Sequence, residues 1–188
     1  MHSLIIFASG RGSNAQAIID YFNGNGLAKV SLIVSNKADA GVLDIAKAEG
    51  IPSVIIGKGE TADAAFISKL QEHNPSLIIL AGYLWKIPQA FVQAFPEKII
   101  NIHPALLPKY GGKGMYGANV HKAVIEAHET ESGITIHYVD EVYDNGCKIL
   151  QAHCPVKPGY TPQMLAESIH SLEHFFYPRT IEYLLENI

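Results

Sequence analysis

The sequence predicts a doubly wound α/β domain on a mainly parallel sheet, with a C-terminal antiparallel extension and a long C-terminal helix. Three observations carry this. Near-continuously apolar, β-branched runs of strand length recur through the first hundred residues, as strands buried on both faces require. Segments of helical spacing stand between them, which makes right-handed βαβ units the natural connection. After Asn101 the texture changes to alternating segments around a tight-turn composition, the pattern of antiparallel pairing.

The elements follow in order. Residues 4–8 form a first strand that runs into the loop Ser9-Gly10-Arg11-Gly12-Ser13-Asn14, where glycines permit a tight turn into a helix over 14–22. Strands at 30–35, 53–56, 77–80 and 99–102 alternate with helices at 41–49, 62–73 and 88–94. A glycine-rich loop at 111–114 then leads to a helix near 118–129. Strands at 133–139 and 148–156 flank the turn Tyr143-Asp144-Asn145-Gly146. The chain closes with a helix over 162–186, where Leu165, Ile169, Leu172, Phe176 and Ile181 lie near one face and Pro178 marks a kink.

Composition narrows the function. With 188 residues and 48% hydrophobic content, the chain can bury a substantial core as a single domain, and no repeat or linker divides it. The net charge is −4 and the fourteen Lys and Arg are scattered, which excludes a basic stripe for nucleic acid. The apolar runs are strand-sized, too short for a membrane span. The N-terminus lacks a basic region and enters a glycine loop directly, so it reads as a strand rather than a signal peptide, and a cytoplasmic location is expected. The two cysteines, Cys147 and Cys154, sit on one strand-like segment facing opposite ways, so they are not expected to bond.

Two candidate sites stand out. Free N–H groups at the first helix start, approached through Gly10 and Gly12, suit a phosphate. The spacing Gly10, Gly12, Ala15 also satisfies a loose dinucleotide fingerprint, but that site wants an acidic residue ending strand two, where Ser35-Asn36-Lys37 stands. A single phosphate is favoured, with a ligand-free turn as the alternative.

The second candidate joins Asn101 and His103, two residues apart beyond the carboxyl end of strand five, with the carboxylate of Asp144. Ligands in open α/β sheets bind at that end. Such a set can hold an oxyanion, donate a proton to it and keep the donor charged, which suits acyl transfer. Each member also has a structural alternative: Asn101 ends a strand, His103 packs in a turn before Pro104, and Asp144 caps its own turn. One of His137 and Tyr138 faces the core, and His121 and His128 lie two turns apart on one helical pattern. No His or Cys spacing matches a zinc pattern, so no metal is expected.

The segments Gly-Arg-Gly-Ser-Asn (10–14), Ser-Asn-Lys-Ala-Asp-Ala (35–40), Leu-Ala-Gly-Tyr (80–83), Asn-Ile-His-Pro-Ala-Leu-Leu-Pro-Lys-Tyr (101–110), His-Tyr-Val (137–139), Asp-Asn-Gly (144–146), Ile-Leu-Gln-Ala (149–152) and Glu-His (173–174) occur in this order. In that order the chain resembles, over essentially its whole length, the phosphoribosylglycinamide formyltransferase family of folate-dependent formyltransferases. The resemblance implies a Rossmann-like formyltransferase fold. It implies transfer of a formyl group from 10-formyltetrahydrofolate, as co-substrate, to the glycine amine of N1-(5-phosphoribosyl)glycinamide in purine biosynthesis. The implied partners are these small molecules alone, on a monomer or weak homodimer.

It also implies roles. His103 is the acid, Asn101 stabilises the oxyanion and Asp144 keeps His103 charged. Gly12, Ser13, Asn14, His170 and Glu173 hold the acceptor. Leu84, Trp85, Lys86, Ile87, Asn101, Asp140, Glu141, Val142, Tyr143 and Asp144 surround the folate. The chain departs from the family at the longer, more mobile loop 111–117, expected either to close over the folate or to serve as a loose connection. It departs again at Trp85 and near Asp63, where relatives carry basic residues. A formyltetrahydrofolate hydrolase shares the Asn-x-His and Asp pattern but carries a further N-terminal domain. A transfer-RNA formyltransferase wants a further C-terminal domain and a basic surface. The non-enzymatic alternative is a phosphate-binding α/β module using the first loop alone.

Overall fold

The computed structural model describes residues 1–188. Its strands are β1 (His2–Phe7), β2 (Ala28–Ser35), β3 (Ser53–Ile55), β4 (Leu77–Leu80), β5 (Ile99–His103), β6 (Glu131–Tyr138) and β7 (Lys148–Pro155). The helices are α1 (Ser13–Asn25), α2 (Val42–Ala48), α3 (Ala64–Glu72), α4 (Gln89–Ala94), α5 (Ala118–Glu126) and α6 (Pro162–Glu186). None is long and apolar enough to cross a membrane.

The apolar runs become strands because both faces of the sheet are covered. Successive side chains of β1 reverse direction, so Leu4 and Ile6 enter a core of 27 buried residues while Ile5 and Phe7 enter one of 13 on the opposite face. Side chains of α1, α2, α5 and α6 belong to the larger core, and those of α3 and α4 to the smaller. The sheet order is β3-β2-β1-β4-β5-β6-β7, parallel from β3 through β5 and antiparallel beyond. The chain leaves β1 toward β2 and later returns on its other side at β4. That reversal opens a crevice at the carboxyl ends of β1, β4 and β5.

Helix α6 reaches this crevice from below. The hydroxyl of fully buried Tyr177 lies 3.1 Å from the Leu80 carbonyl and 3.3 Å from that of Ile100. It ties α6 to the end of β4 and to the neighbouring β5, one turn beyond Glu173.

The structure departs from the expected elements in four places. Helix α6 runs through Pro178 without a break, the ring being buried. On its inner face Glu173 and Tyr177 are buried where Leu172 and Phe176 were expected, the latter two being half-buried. The helix expected from 62 is instead a 3-10 turn at Glu60–Ala62 followed by α3, because Asp63 takes an extended backbone and its carboxylate accepts the Ala65 N–H at 2.8 Å. Helix α5 stops at Glu126, and His128 beyond it adopts a left-handed backbone at φ 53°, exposed and off the helix that carries buried His121. Cys147 lies just before β7 and Cys154 within it.

Candidate functional site

The crevice is a cleft of about 610 Å³ walled by the ends of β1, β4 and β5, the loop 111–117, the loop between β6 and β7, and α6. Asn101, His103 and Asp144 meet on one wall. Register places His137 of β6 opposite Asn101 of β5, and the turn after β6 carries Asp144 back toward His103.

Hydrogen-bond chemistry sets the proton positions on this wall. His103 Nε2 is 2.7 Å from the Tyr110 carbonyl, which can only accept, so Nε2 carries a proton and Nδ1 faces Asp144 Oδ2 at 3.6 Å. His137 Nδ1 likewise donates to the Tyr138 carbonyl at 2.9 Å. Burial pushes the His137 pKa below 6.5, so its ring is neutral near pH 7 and its Nε2 accepts from Asn101 Nδ2 at 3.2 Å. That contact orients the Asn101 amide and leaves its second N–H for another acceptor.

Asp144 adopts a left-handed backbone at φ 52°, and its Oδ2 accepts the Gly112 N–H at 2.9 Å. The cap of its turn is a different residue. Asp140 accepts from the Val142 amide at 2.8 Å and from Asn145 Nδ2 at 3.1 Å, using both oxygens. Loop 111–117 is tied down here. Besides the Gly112 contact, Asn119 Nδ2 donates to the Gly114 carbonyl at 3.1 Å, and a Cβ on Gly111 would meet Leu107 Cδ2 at 2.6 Å and Asp144 Cβ at 3.3 Å. The loop's glycines therefore let the backbone lie against the carboxylate.

At the other end of the cleft, α1 begins at Gly12 with a left-handed φ of 85° and no side-chain cap, so its first amides are open to an anion. Asn14 Nδ2 donates to Glu173 Oε2 at 3.0 Å, and His170 Nδ1 donates to the same oxygen at 2.9 Å. The hydrogen bond to Glu173 holds the His170 pKa above the ordinary 6.5, against the effect of burial. Asn14 Oδ1 is buried without a partner, an acceptor aimed at nothing within the protein. A Cβ on Gly12 would stand 2.9 Å from Val42 Cα and 2.8 Å from Ile45 Cδ1. Gly12→Ala therefore combines a clash with a disfavoured backbone and is expected to destabilise the chain by about 1–3 kcal/mol, read by urea unfolding.

The third part of the cleft is a partly apolar mouth. Leu84, Val142 and Tyr143 are exposed there, the Tyr83 and Trp85 rings meet edge-on at 6.4 Å, and Lys86 Nζ lies 5.7 Å from the centre of the Tyr143 ring. The buried Tyr83 hydroxyl lacks a partner, and burial pushes its pKa up. Such a mouth suits a flat, partly aromatic ligand.

The cleft thus gathers Asn101, His103, Asp144, Asn14, His170 and Glu173 with Leu84, Trp85, Lys86, Ile87, Asp140, Val142 and Tyr143. Gly12, Ser13 and Glu141 do not line it; Gly10 does. Sequence reasoning missed the Tyr110 carbonyl, the Gly112 amide, Ser9 and Lys37. It also left open His137 and His121, the latter a buried ring on the cleft wall with an unpartnered Nδ1. Backbone groups carry no residue signature. Ser9, whose Oγ accepts the Leu84 amide at 2.9 Å, was legible only as loop composition.

Residues 2–181 match the formyl transferase family model. A chloroplastic phosphoribosylglycinamide formyltransferase of Arabidopsis thaliana is 40% identical over 97% of this chain, which spans 65% of that protein's length. The phosphoribosylglycinamide formyltransferase of Haemophilus influenzae is 36% identical over 99% of this chain and 88% of its own. Among solved structures, glycinamide ribonucleotide transformylase 1 of Symbiobacterium toebii superposes with a TM-score of 0.90 at 31% identity, covering 100% of this chain and 89% of the other.

Proposed function

The chain belongs to the formyl transferase family, and from that membership we propose that it moves a formyl group from 10-formyltetrahydrofolate to the glycine amine of N1-(5-phosphoribosyl)glycinamide. The observation that carries the reading is the position of Asn101, His103 and Asp144 on one wall of a cleft with an open helix N-terminus at one end and an aromatic mouth at the other.

In this reading the acceptor's phosphate rests on the first amides of α1, at Gly12, Ser13 and Asn14, and its ribose hydroxyls meet Glu173 and the orphan Asn14 Oδ1. The folate lies in the mouth between the segments 84–87 and 140–144, where the Tyr83 hydroxyl gains a partner. Residues 1–188 act as one catalytic unit.

The acceptor amine attacks the formyl carbon. A carbon–nitrogen bond forms, and the carbonyl oxygen takes up negative charge in a tetrahedral intermediate. The free N–H of Asn101 and, on the charged His103 ring, the Nδ1–H beside Asp144 are the donors for that oxygen, and removal of one such donor typically costs about 2.7–4 kcal/mol of barrier. Asp144 balances the charge on the His103 ring. Collapse breaks the bond to the folate nitrogen, while the proton lost by the amine passes to that nitrogen.

His170 makes acceptor binding depend on pH. As an imidazolium it adds a positive charge beside the acceptor's phosphate, and it loses that charge as pH rises through its raised pKa, above 6.5. The KM for the acceptor should therefore climb across that interval in the wild type and stay flat in His170→Gln, measured by initial rates.

The function itself is tested by following folate deformylation spectrophotometrically with and without the phosphoribosyl acceptor. Acceptor-dependent turnover supports transfer. Acceptor-independent turnover means a hydrolase, and none means a binding module.

A further inference from the structure

The acid of the proposed transfer is aimed by a backbone carbonyl, and that carbonyl is itself held from outside the cleft. Tyr110 accepts the Nε2–H of His103 at 2.7 Å from a left-handed backbone, φ 57°, which a residue with a side chain rarely adopts. Something must hold it there. Its hydroxyl donates to Glu129 Oε1 at 2.8 Å, and Lys109 Nζ meets the same oxygen at 2.8 Å. Glu129 is anchored in turn, its amide donating to the Val124 carbonyl of α5 at 3.3 Å. The Lys109 side chain is 68% exposed, and an ion pair so placed constrains little. The half-buried Tyr110 ring packs against the larger core, so its hydroxyl bond is the one that resists rotation of the 110 peptide.

We infer that Glu129 is a positioning residue for the reaction, fixing through Tyr110 the carbonyl that receives Nε2–H, so that the His103 ring, when charged, keeps its Nδ1–H turned to the cleft. The inference rests on the formyl-transfer reading, since it assigns His103 the acid's part. Glu129 does not line the cleft. If the 110 carbonyl swings away, the ring loses the acceptor that sets its orientation: the charged ring can turn its Nδ1–H off the reacting oxygen, and the neutral ring can carry its proton on either nitrogen.

The test uses Tyr110→Phe and Glu129→Ala, with Glu129→Gln as the conservative variant whose amide oxygen still accepts from Tyr110. The first two are expected to lower kcat about tenfold with the KM of both substrates unchanged, because small misplacements of a catalytic group cost rate rather than binding. Their combination should be no slower than the slower single variant, since both break one path. Glu129→Gln should stay near wild type. Nitrogen-15 NMR of the His103 ring, assigned by its loss in His103→Ala, should report the Nε2–H tautomer in the wild type and a mixture in the first two variants. Wild-type turnover in either, unchanged ring shifts, or a Gln variant as slow as the Ala variant would overturn the inference. A wild type lacking acceptor-dependent transfer would instead remove the functional reading, and the ring shifts would still decide the tether.

Discussion

His103→Ala is expected to lower kcat by about 10²–10⁴-fold, the usual contribution of a positioned proton donor, while the Kd for the acceptor barely moves. The asymmetry follows from where the contacts originate. In the proposed reading the acceptor's contacts come from α1 and α6, through Asn14, His170 and Glu173, whereas His103 ends β5 and is held by Tyr110 and faced by Asp144. Removing the imidazole deletes an interaction that matters only once charge develops on the formyl oxygen. Steady-state kinetics with calorimetric titration of the acceptor separates the two effects. A variant with wild-type kcat would mean that His103 donates nothing to the transition state.

Asp144→Asn is expected to cost about 10²–10³-fold in kcat although the shape of the wall is preserved. The replacing amide oxygen can still accept the Gly112 N–H, so the loop keeps its tie. The charge facing His103 is lost. Because the Tyr110 carbonyl requires a proton on Nε2, neutral His103 presents a lone pair on Nδ1, and with the amide oxygen kept at the Oδ2 position by Gly112 no charge faces that nitrogen. The variant thereby stabilises the form of the ring that cannot donate. A double variant reads this directly: His103→Ala added to Asp144→Asn should cost little further, since both remove the same donor. A further loss as large as His103→Ala causes in the wild type would place the role of Asp144 in the turn rather than in the chemistry.

The sheet was legible because each parallel strand is apolar on both faces, a pattern that only a doubly covered sheet needs, and Leu4 through Ala8 read as such without help. The carboxyl-end rule then placed Asn101 and His103 correctly at the crevice. Asp144 was harder. Asp140 and Asp144 share one short loop of turn-forming composition, and nothing in residue type says which carboxylate caps the turn and which reaches the ring; the left-handed backbone at Asp144 separates them. Glu173 was legible through the family resemblance and not through the helical pattern. A carboxylate on the inner face of an amphipathic helix contradicts the apolar pattern, and it stands there because Asn14 and His170 both donate to it. Asp63 shows local chemistry overruling periodicity, since its capping carboxylate starts α3 two residues later than helical spacing suggests.

The central claim is direct transfer within the cleft that holds Asn101, His103 and Asp144. A single-turnover experiment, with enzyme in excess over 10-formyltetrahydrofolate labelled in its formyl carbon and with the phosphoribosyl acceptor present, tests it most directly. The account predicts that the label appears in the N-formyl acceptor, rapidly in the wild type and slowly in His103→Ala and Asp144→Asn. Label released as formate, or transfer at equal rates in all three proteins, would contradict it.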